Sequence, residues 1–200
     1  MEKEIEEVLQ KYPDLVYDAK DHFLKGTLLL PCQDSYEVLI DLKSYPRFFP
    51  TVFEVGSRIP KKAQRHIYGD TGSCCFTTRA QSQILLKTKI NSLLQFIDEI
   101  VVRYFENNSY YEINDRYYGE EYSHNIRGIL EGYQDILRIK ETKLIFKVMA
   151  QRIRNQKLRP NDLCYCGSKR KMKQCHQDEY RNFRKIERKV VKEDFHYLHR

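Results

Sequence analysis

Two groups of residues in this chain have the types and spacing for chemistry. The first is Cys164-Tyr-Cys166-Gly-Ser-Lys-Arg-Lys-Met-Lys-Gln-Cys175-His176, three thiols and an imidazole at C-x-C-x8-C-H spacing. Two close pairs joined by a turn suit a four-coordinate zinc ion, because each pair spans one edge of the tetrahedron. Gly167 supplies the turn after the first pair. Lys169, Arg170, Lys171 and Lys173 lie between the pairs, where they offset the negative charge that three thiolates leave around zinc(II). All four positions are protein ligands, so Cys164, Cys166, Cys175 and His176 read as a structural zinc site. The second group is His66, Asp70, Cys74 and Cys75, with Gly72 and Ser73 before the thiols. A cysteine in a glycine-containing loop, beside groups that donate hydrogen bonds or take protons, fits an exposed and activated nucleophile. The other reading makes either thiol a small buried hydrophobe and the histidine a surface or capping residue. Neighbouring side chains point apart, so Cys74 and Cys75 pair poorly with each other.

The elements that must position these groups follow from composition and pattern. The chain has 200 residues with 15 Tyr, 10 Phe and no Trp, enough core formers for one well-buried domain plus a small appendage. Its net charge of +7 sits in the tail. Residues 151–200 hold 15 Lys/Arg against 6 Asp/Glu, whereas residues 1–150 hold 20 against 22. A basic tail is a solvated helix or a surface for nucleic acid, an anionic membrane or an acidic protein. Apolar runs are strand-sized, and the acidic start Met1-Glu2-Lys3-Glu4 lacks the apolar region of a signal peptide. The expectation is a cytoplasmic chain that keeps its thiols reduced, which favours metal binding or catalysis over disulfides.

The pattern predicts an α+β fold. A short helix over 3–11, with Ile5, Val8 and Leu9 on one face, ends at Pro13. Strands over 26–31, 36–42 and 51–55 read as an antiparallel meander. Pro46 and Pro50 make 44–50 irregular, and 57–80 is a long loop of the kind that carries function. Ile90, Leu93, Leu94, Ile97, Ile100, Val101, Tyr104 and Phe105 repeat at helical spacing, and Asn107-Asn-Ser109 is the expected stop. A second helix is expected over 123–137, capped by Ser123, then a closing strand over 144–149 and a basic linker over 152–159. The expected domains are 1–150 and 151–200, the latter holding the linker, the zinc module and a helix over about 178–198.

The tail run Arg159-Pro-Asn-Asp-Leu-Cys-Tyr-Cys-Gly-Ser-Lys-Arg-Lys resembles the SEC-C motif, whose hallmark is this ligand spacing with CGS after the second ligand. Such modules are zinc-stabilised adaptors on many unrelated proteins. The order of pieces before it is similar to the ubiquitin-conjugating (UBC-fold) family, and most similar to its bacterial members. These pieces are Gly26-Thr-Leu-Leu-Leu-Pro31, Tyr36–Leu42, Tyr45-Pro46, Pro50, Val52, Phe53, Pro60, His66, Gly72-Ser73-Cys74-Cys75-Phe76 and Gly119-Glu-Glu-Tyr-Ser-His-Asn-Ile-Arg-Gly128. The resemblance implies a UBC-like antiparallel β-meander flanked by helices. It places the catalytic cysteine on Cys75, a small apolar thiol on Cys74, and the loop-shaping histidine of the family's HPN motif on His66. Here Ile67 and Tyr68 follow the histidine, not Pro and Asn, so the family's oxyanion-stabilising asparagine is absent. Tyr68, backbone N–H groups near Cys75 and His124 are the candidates to replace it, and His124 could also deprotonate an incoming amine.

The implied reaction is transthioesterification onto Cys75 followed by acyl transfer to a lysine. Bacterial UBC-like proteins of this type occur in short type II CBASS anti-phage systems, which implies that the acyl donor is the C-terminus of a cGAS/DncV-like nucleotidyltransferase. The alternatives are a non-catalytic UBC-fold adaptor and a nucleic-acid-binding zinc knuckle. The second lacks a base-reading helix pattern or a row of stacking aromatics.

Overall fold

The computed structural model describes residues 1–119, 122–123 and 125–199. It is α+β and forms two compact units, one of residues 1–76 and 88–121, the other of 77–87 and 122–200.

In the first unit, β1 (Leu15–Asp18), β2 (Phe23–Leu29), β3 (Ser35–Asp41) and β4 (Thr51–Glu54) pair antiparallel in chain order. Side chains alternate across a pleated strand, so one face is buried and the other faces outward. Leu24, Leu28, Tyr36, Val38, Ile40 and Val52 point inward, while Lys25, Leu29 and Glu37 are exposed. The meander is the one expected, with two differences. β1 is an added edge strand, too short to show a period in the sequence. β2 also starts earlier, so that Gly26 lies within it, opposite Leu15 and Val38. Gly26 has φ +145°, and a Cβ there would stand 2.1 Å from the Asp14 carbonyl oxygen.

Helix α1 (Glu2–Lys11) buries Ile5 and Val8. After α3 (Leu93–Phe96), a π turn over Ile97–Val101 continues into α4 (Val102–Asn114). The helix passes through the expected stop. Asn108 and Ser109 bond back to the carbonyls of Tyr104 and Phe105, at 3.1 and 3.2 Å, and so fit inside a helix. The chain leaves the helix at Asp115, which is left-handed.

The second unit is helical: α2 (Arg79–Thr88), α5 (Asn125–Leu137), α6 (Thr142–Ile153), α7 (Gln177–Lys185) and α8 (Arg188–Leu198). Residues 144–149 are helix rather than the expected closing strand. Ile145, Val148 and Met149 are buried at helical spacing, and a short apolar run does not separate the two states by itself. The expected linker begins with the last turn of α6. The expected C-terminal helix is two helices, because Ile186 is extended and fully buried between them. Ser123 does not cap α5 through its hydroxyl, which goes to Glu131 at 2.8 Å.

The units also divide the chain elsewhere than at residue 150. One apolar core joins Tyr133, Leu137, Ile145 and Met149 to Tyr165, Met172, Phe183 and Val191, so the cysteine-histidine segment shares a core with α5 and α6. Among the described residues, no helix is long and apolar enough to cross a membrane.

Gly26→Ala is expected to destabilise the protein by about 2 kcal/mol or more, through a positive φ and a clash with backbone. Urea unfolding checks this; an unchanged midpoint would mean that β1 and β2 shift apart without cost.

Candidate functional site

The 57–76 segment is fixed to its own unit by cations and a phenol. Arg58 donates to both Asp34 oxygens at 2.7 Å and to Glu112 at 2.6 Å, and lies 4.3 Å from the Tyr36 ring centroid. The Arg58 guanidinium holds the Asp34 carboxyl well below the usual carboxylate range. Arg65 sits 4.5 Å from the Tyr111 ring and donates to Asn108 at 3.1 Å. Tyr104 donates to the carbonyls of Arg65 and His66, at 3.2 and 3.0 Å. In the sequence Tyr104 is one more residue on an apolar helix face; its anchoring role shows only when the loop is in place.

Residues 66–68 and 73–75 then pair as a short antiparallel ribbon. Cys75 N–H donates to the His66 carbonyl at 2.7 Å, Ile67 bridges Cys74, and Tyr68 N–H donates to the Ser73 carbonyl at 2.9 Å. The register is the same at all three steps. Alternation therefore puts Ile67 and Cys74 on one face and His66, Tyr68, Cys75 and the buried Ser73 on the other. The first pair is buried, Ile67 3% and Cys74 6% exposed; Cys75 and His66 are half-buried and Tyr68 is 44% exposed. The ribbon also continues the sheet, with Cys74 N–H donating to Val52 at 2.8 Å and Ser73 bridging Phe53. Gly72, at φ +74°, turns the chain between its two sides, and Asp70 is exposed, its carboxylate accepting from the Thr71 N–H at 2.9 Å.

The two thiols differ chemically. Burial pushes Cys74 up to about 12, although the Tyr104 hydroxyl hydrogen-bonds to it. Burial also raises the Cys75 thiol, opposed by a hydrogen bond from the Tyr68 hydroxyl. His66 is left-handed, and its ring meets Tyr117 edge-on with centroids 5.1 Å apart. Its backbone carbonyl and its ring both hold the loop in shape. His124 lies outside the described residues.

In the second unit, the ligand atoms of Cys164, Cys166, Cys175 and His176 all lie within 4.8 Å of one another. The Cys166–Cys175 sulfurs are 3.6 Å apart, and His176 Nδ1 is 3.1 Å from Cys175 Sγ and 3.4 Å from Cys164 Sγ. A tetrahedral ion with metal–sulfur bonds of about 2.3 Å has sulfur–sulfur edges of about 3.8 Å, so this set could hold a metal ion. Arg170 donates to Cys175 Sγ at 3.3 Å and Ser168 lies 3.4 Å from it. The Ser168 hydrogen bond lowers the Cys175 thiol, whereas burial raises Cys164. The segment is closed by Cys164 N–H to Arg170 at 2.8 Å and Met172 N–H to Asp162 at 2.9 Å. Tyr165 donates to the Leu137 carbonyl at 2.8 Å, tying it to the end of α5.

Comparison with family models, with curated proteins and with solved structures returned no match.

Cys74 makes stability fall at alkaline pH. Its folded pKa, about 12, exceeds the unfolded value of about 8.5, so the unfolded chain releases the proton first. Between these values the Cys74 contribution falls by up to about 1.4 kcal/mol for each pH unit gained. Urea midpoints from pH 7.5 to 9.5 should fall less steeply in Cys74→Ala than in the wild type. Equal slopes would rule out a buried, protonated thiol at this position.

Proposed function

We propose that the chain is a ubiquitin-conjugating-like acyl-transfer enzyme in which Cys75 carries a protein C-terminus as a thioester. The observation that supports this reading is the ribbon register, which leaves Cys75 half-buried on the face it shares with His66 and Tyr68 while burying Cys74. The element order also fits the UBC resemblance: a helix, a four-stranded meander, then a shaped loop with the thiol, then helices. A cysteine suits the task because a thioester keeps its acyl-transfer potential and its sulfur leaves readily.

In the first step the Cys75 thiolate attacks the carbonyl carbon of a donor already activated as a thioester. The donor carbon–sulfur bond breaks and the donor thiolate leaves. In the second step a lysine amine attacks the Cys75 thioester, the carbon–sulfur bond breaks, Cys75 departs as thiolate, and the nitrogen loses its proton. The backbone of His66 holds the thiol at the rim of the loop in both steps. We take the donor to be the C-terminus of a cGAS/DncV-like nucleotidyltransferase of a cytoplasmic CBASS anti-phage system, as the family resemblance implies. The ion of the Cys3His set is proposed to be zinc, which would link residues 164–166 to 175–176; its chemistry is structural, because all four positions are protein atoms.

Mixing the chain with a nucleotidyltransferase of this class and its activated donor should give a covalent adduct that reducing agent cleaves. Cys75→Ala should abolish it and Cys74→Ala should keep it, read by gel shift and intact mass. An adduct that survives in Cys75→Ala would defeat the assignment.

Zinc is tested separately. Unfolding the purified chain in a chromogenic chelator should release about one equivalent of zinc, and the Cys164→Ser/Cys166→Ser double variant should release none. Because the segment shares its core with α5 and α6, the double variant should also lower the melting temperature of the whole second unit. Undiminished zinc in the double variant would place the metal elsewhere.

A further inference from the structure

The positive charge of the second unit gathers where α7 meets α8. Residues 181–192 carry six cations, Arg181, Arg184, Lys185, Arg188, Lys189 and Lys192, against the single carboxylate of Glu187. Two more cations reach the same place from other helices. Arg152, in the last turn of α6, donates through Nη2 to the carbonyls of Ile186 at 2.8 Å and Arg184 at 3.4 Å. Lys87, in the last turn of α2, donates to the Lys185 carbonyl at 2.6 Å. Arg184 in turn donates to the Gln156 carbonyl at 3.3 Å, and Arg188 opens α8 two residues after Ile186. Lys87, Arg152, Arg184, Lys185 and Arg188 therefore share one junction. Among the described residues none of the five stands in an ion pair, whereas Arg181 pairs with Asp178 and Lys189 with Glu193.

Part of this cluster has a local use. The last carbonyls of α7 have no partner within their own helix, and a cation there complements the dipole. Arg152 and Lys87 do that work. Arg188 gains nothing of the kind. It lies in the first turn of α8, which holds no acidic residue, at the positive end of the dipole, where a cation costs stability. Burial, and then the charges of Arg184 and Arg188, push Arg152 below its ordinary value, so these guanidiniums also repel one another. Repelling cations kept together without a carboxylate are complementary to an anion from outside. Three of the five are arginines, whose planar forks match phosphate oxygens. They come from the ends of four helices, α2, α6, α7 and α8, which suits a chain of phosphates better than a single ion. A membrane surface would want apolar side chains beside the charge, but Phe183 and Ile186 are fully buried and Val190 is buried too.

We infer that the α7–α8 junction binds the phosphodiester backbone of nucleic acid through Lys87, Arg184, Lys185 and Arg188, with Arg152 fixing the end of α7. Contacts to phosphate carry no sequence information, so any sequence should bind. The inference does not depend on Cys75 or on acyl transfer.

The test is fluorescence anisotropy of the full chain with a labelled single-stranded RNA of mixed sequence, and in parallel with a labelled duplex DNA; binding to either supports the site. The expected dissociation constant at about 150 mM KCl lies between about 1 and 100 μM, the usual range for sequence-independent contacts. Between about 50 and 200 mM KCl the logarithm of affinity should fall with that of salt at a slope of about −3 to −4, as four phosphate contacts require. Arg184→Gln/Arg188→Gln should weaken binding about tenfold and flatten the slope by about 1 to 2. Lys169→Gln/Lys173→Gln removes the same charge from the Cys/His segment and should bind as the wild type does. Melting temperatures report folding. If the first double variant is destabilised, Arg188→Gln carries the test with a slope flattened by about 0.7 to 0.9, because that side chain makes no hydrogen bond or ion pair among the described residues. Equal losses in the two double variants overturn the site, since net charge alone would then attract the polyanion. Affinity weaker than about 100 μM for both nucleic acids at about 150 mM KCl overturns it as well. So does flotation with phosphatidylserine vesicles by a chain that binds neither nucleic acid, which would make this face a membrane surface.

Discussion

Which of the two thiols in the 57–76 loop is buried depends on a register. Paired backbone has a side-chain period of two, so a slip of one residue between 66–68 and 73–75 would turn Cys74 outward and bury Cys75. Several contacts oppose that slip. Cys74 N–H is held by Val52 and Ser73 bridges Phe53, so the ribbon is registered against β4 as well as against itself. Tyr104 grips the carbonyls of Arg65 and His66 from α4, and burial of Ile67 and Cys74 favours the observed face. The strand, the helix and the apolar pair specify the same alignment, and consistency of that kind selects one structure from near alternatives.

The same burial that fixes the register costs reactivity. Both thiols are raised by desolvation, and ionising either of them puts charge in a poor solvent. For Cys74 there is no conflict, because a neutral buried thiol packs as a small apolar group. For Cys75, which is half-buried, burial raises the thiol and the Tyr68 hydroxyl opposes the shift. A raised thiol is also less exposed to adventitious oxidation, which attacks thiolates.

Most of the meander was legible in the sequence, because alternating apolar residues and turn signals lie close together in it. β1 was not, since four residues cannot show a period. The period of the helix that ends in α4 is plain over 90–105, but the polar residues Asn107–Ser109 have the local pattern of a stop. In the structure Ser109 donates to Asp34 at 2.6 Å as well as to its own helix, a partner 75 residues away that local pattern cannot reveal. The run 144–149 failed for a different reason: Leu144 to Met149 is apolar enough for either state, and only the helices around it decide. The Cys/His set that could hold a metal ion was readable because its spacing is a local property. The loop's thiols were readable as a pair, but local pattern could not say which one faced out, since that depends on pairing to β4 and on Tyr104.

In the second unit the Cys/His set that could hold a metal ion does not stand on a fold of its own. A stretch with so few large apolar groups lacks a core of its own, which is the ordinary reason for a zinc staple. Here Cys164 and Tyr165 are themselves buried in a core with Tyr133, Leu137 and Phe183, and Tyr165 bonds to the end of α5. The backbone closures at Cys164–Arg170 and Asp162–Met172 hold the ligand pairs in place from within. A bound ion would then act on a loop already set close to tetrahedral spacing, so little of its binding free energy is spent on ordering the chain, and more of it appears as stability of the helices that share the core.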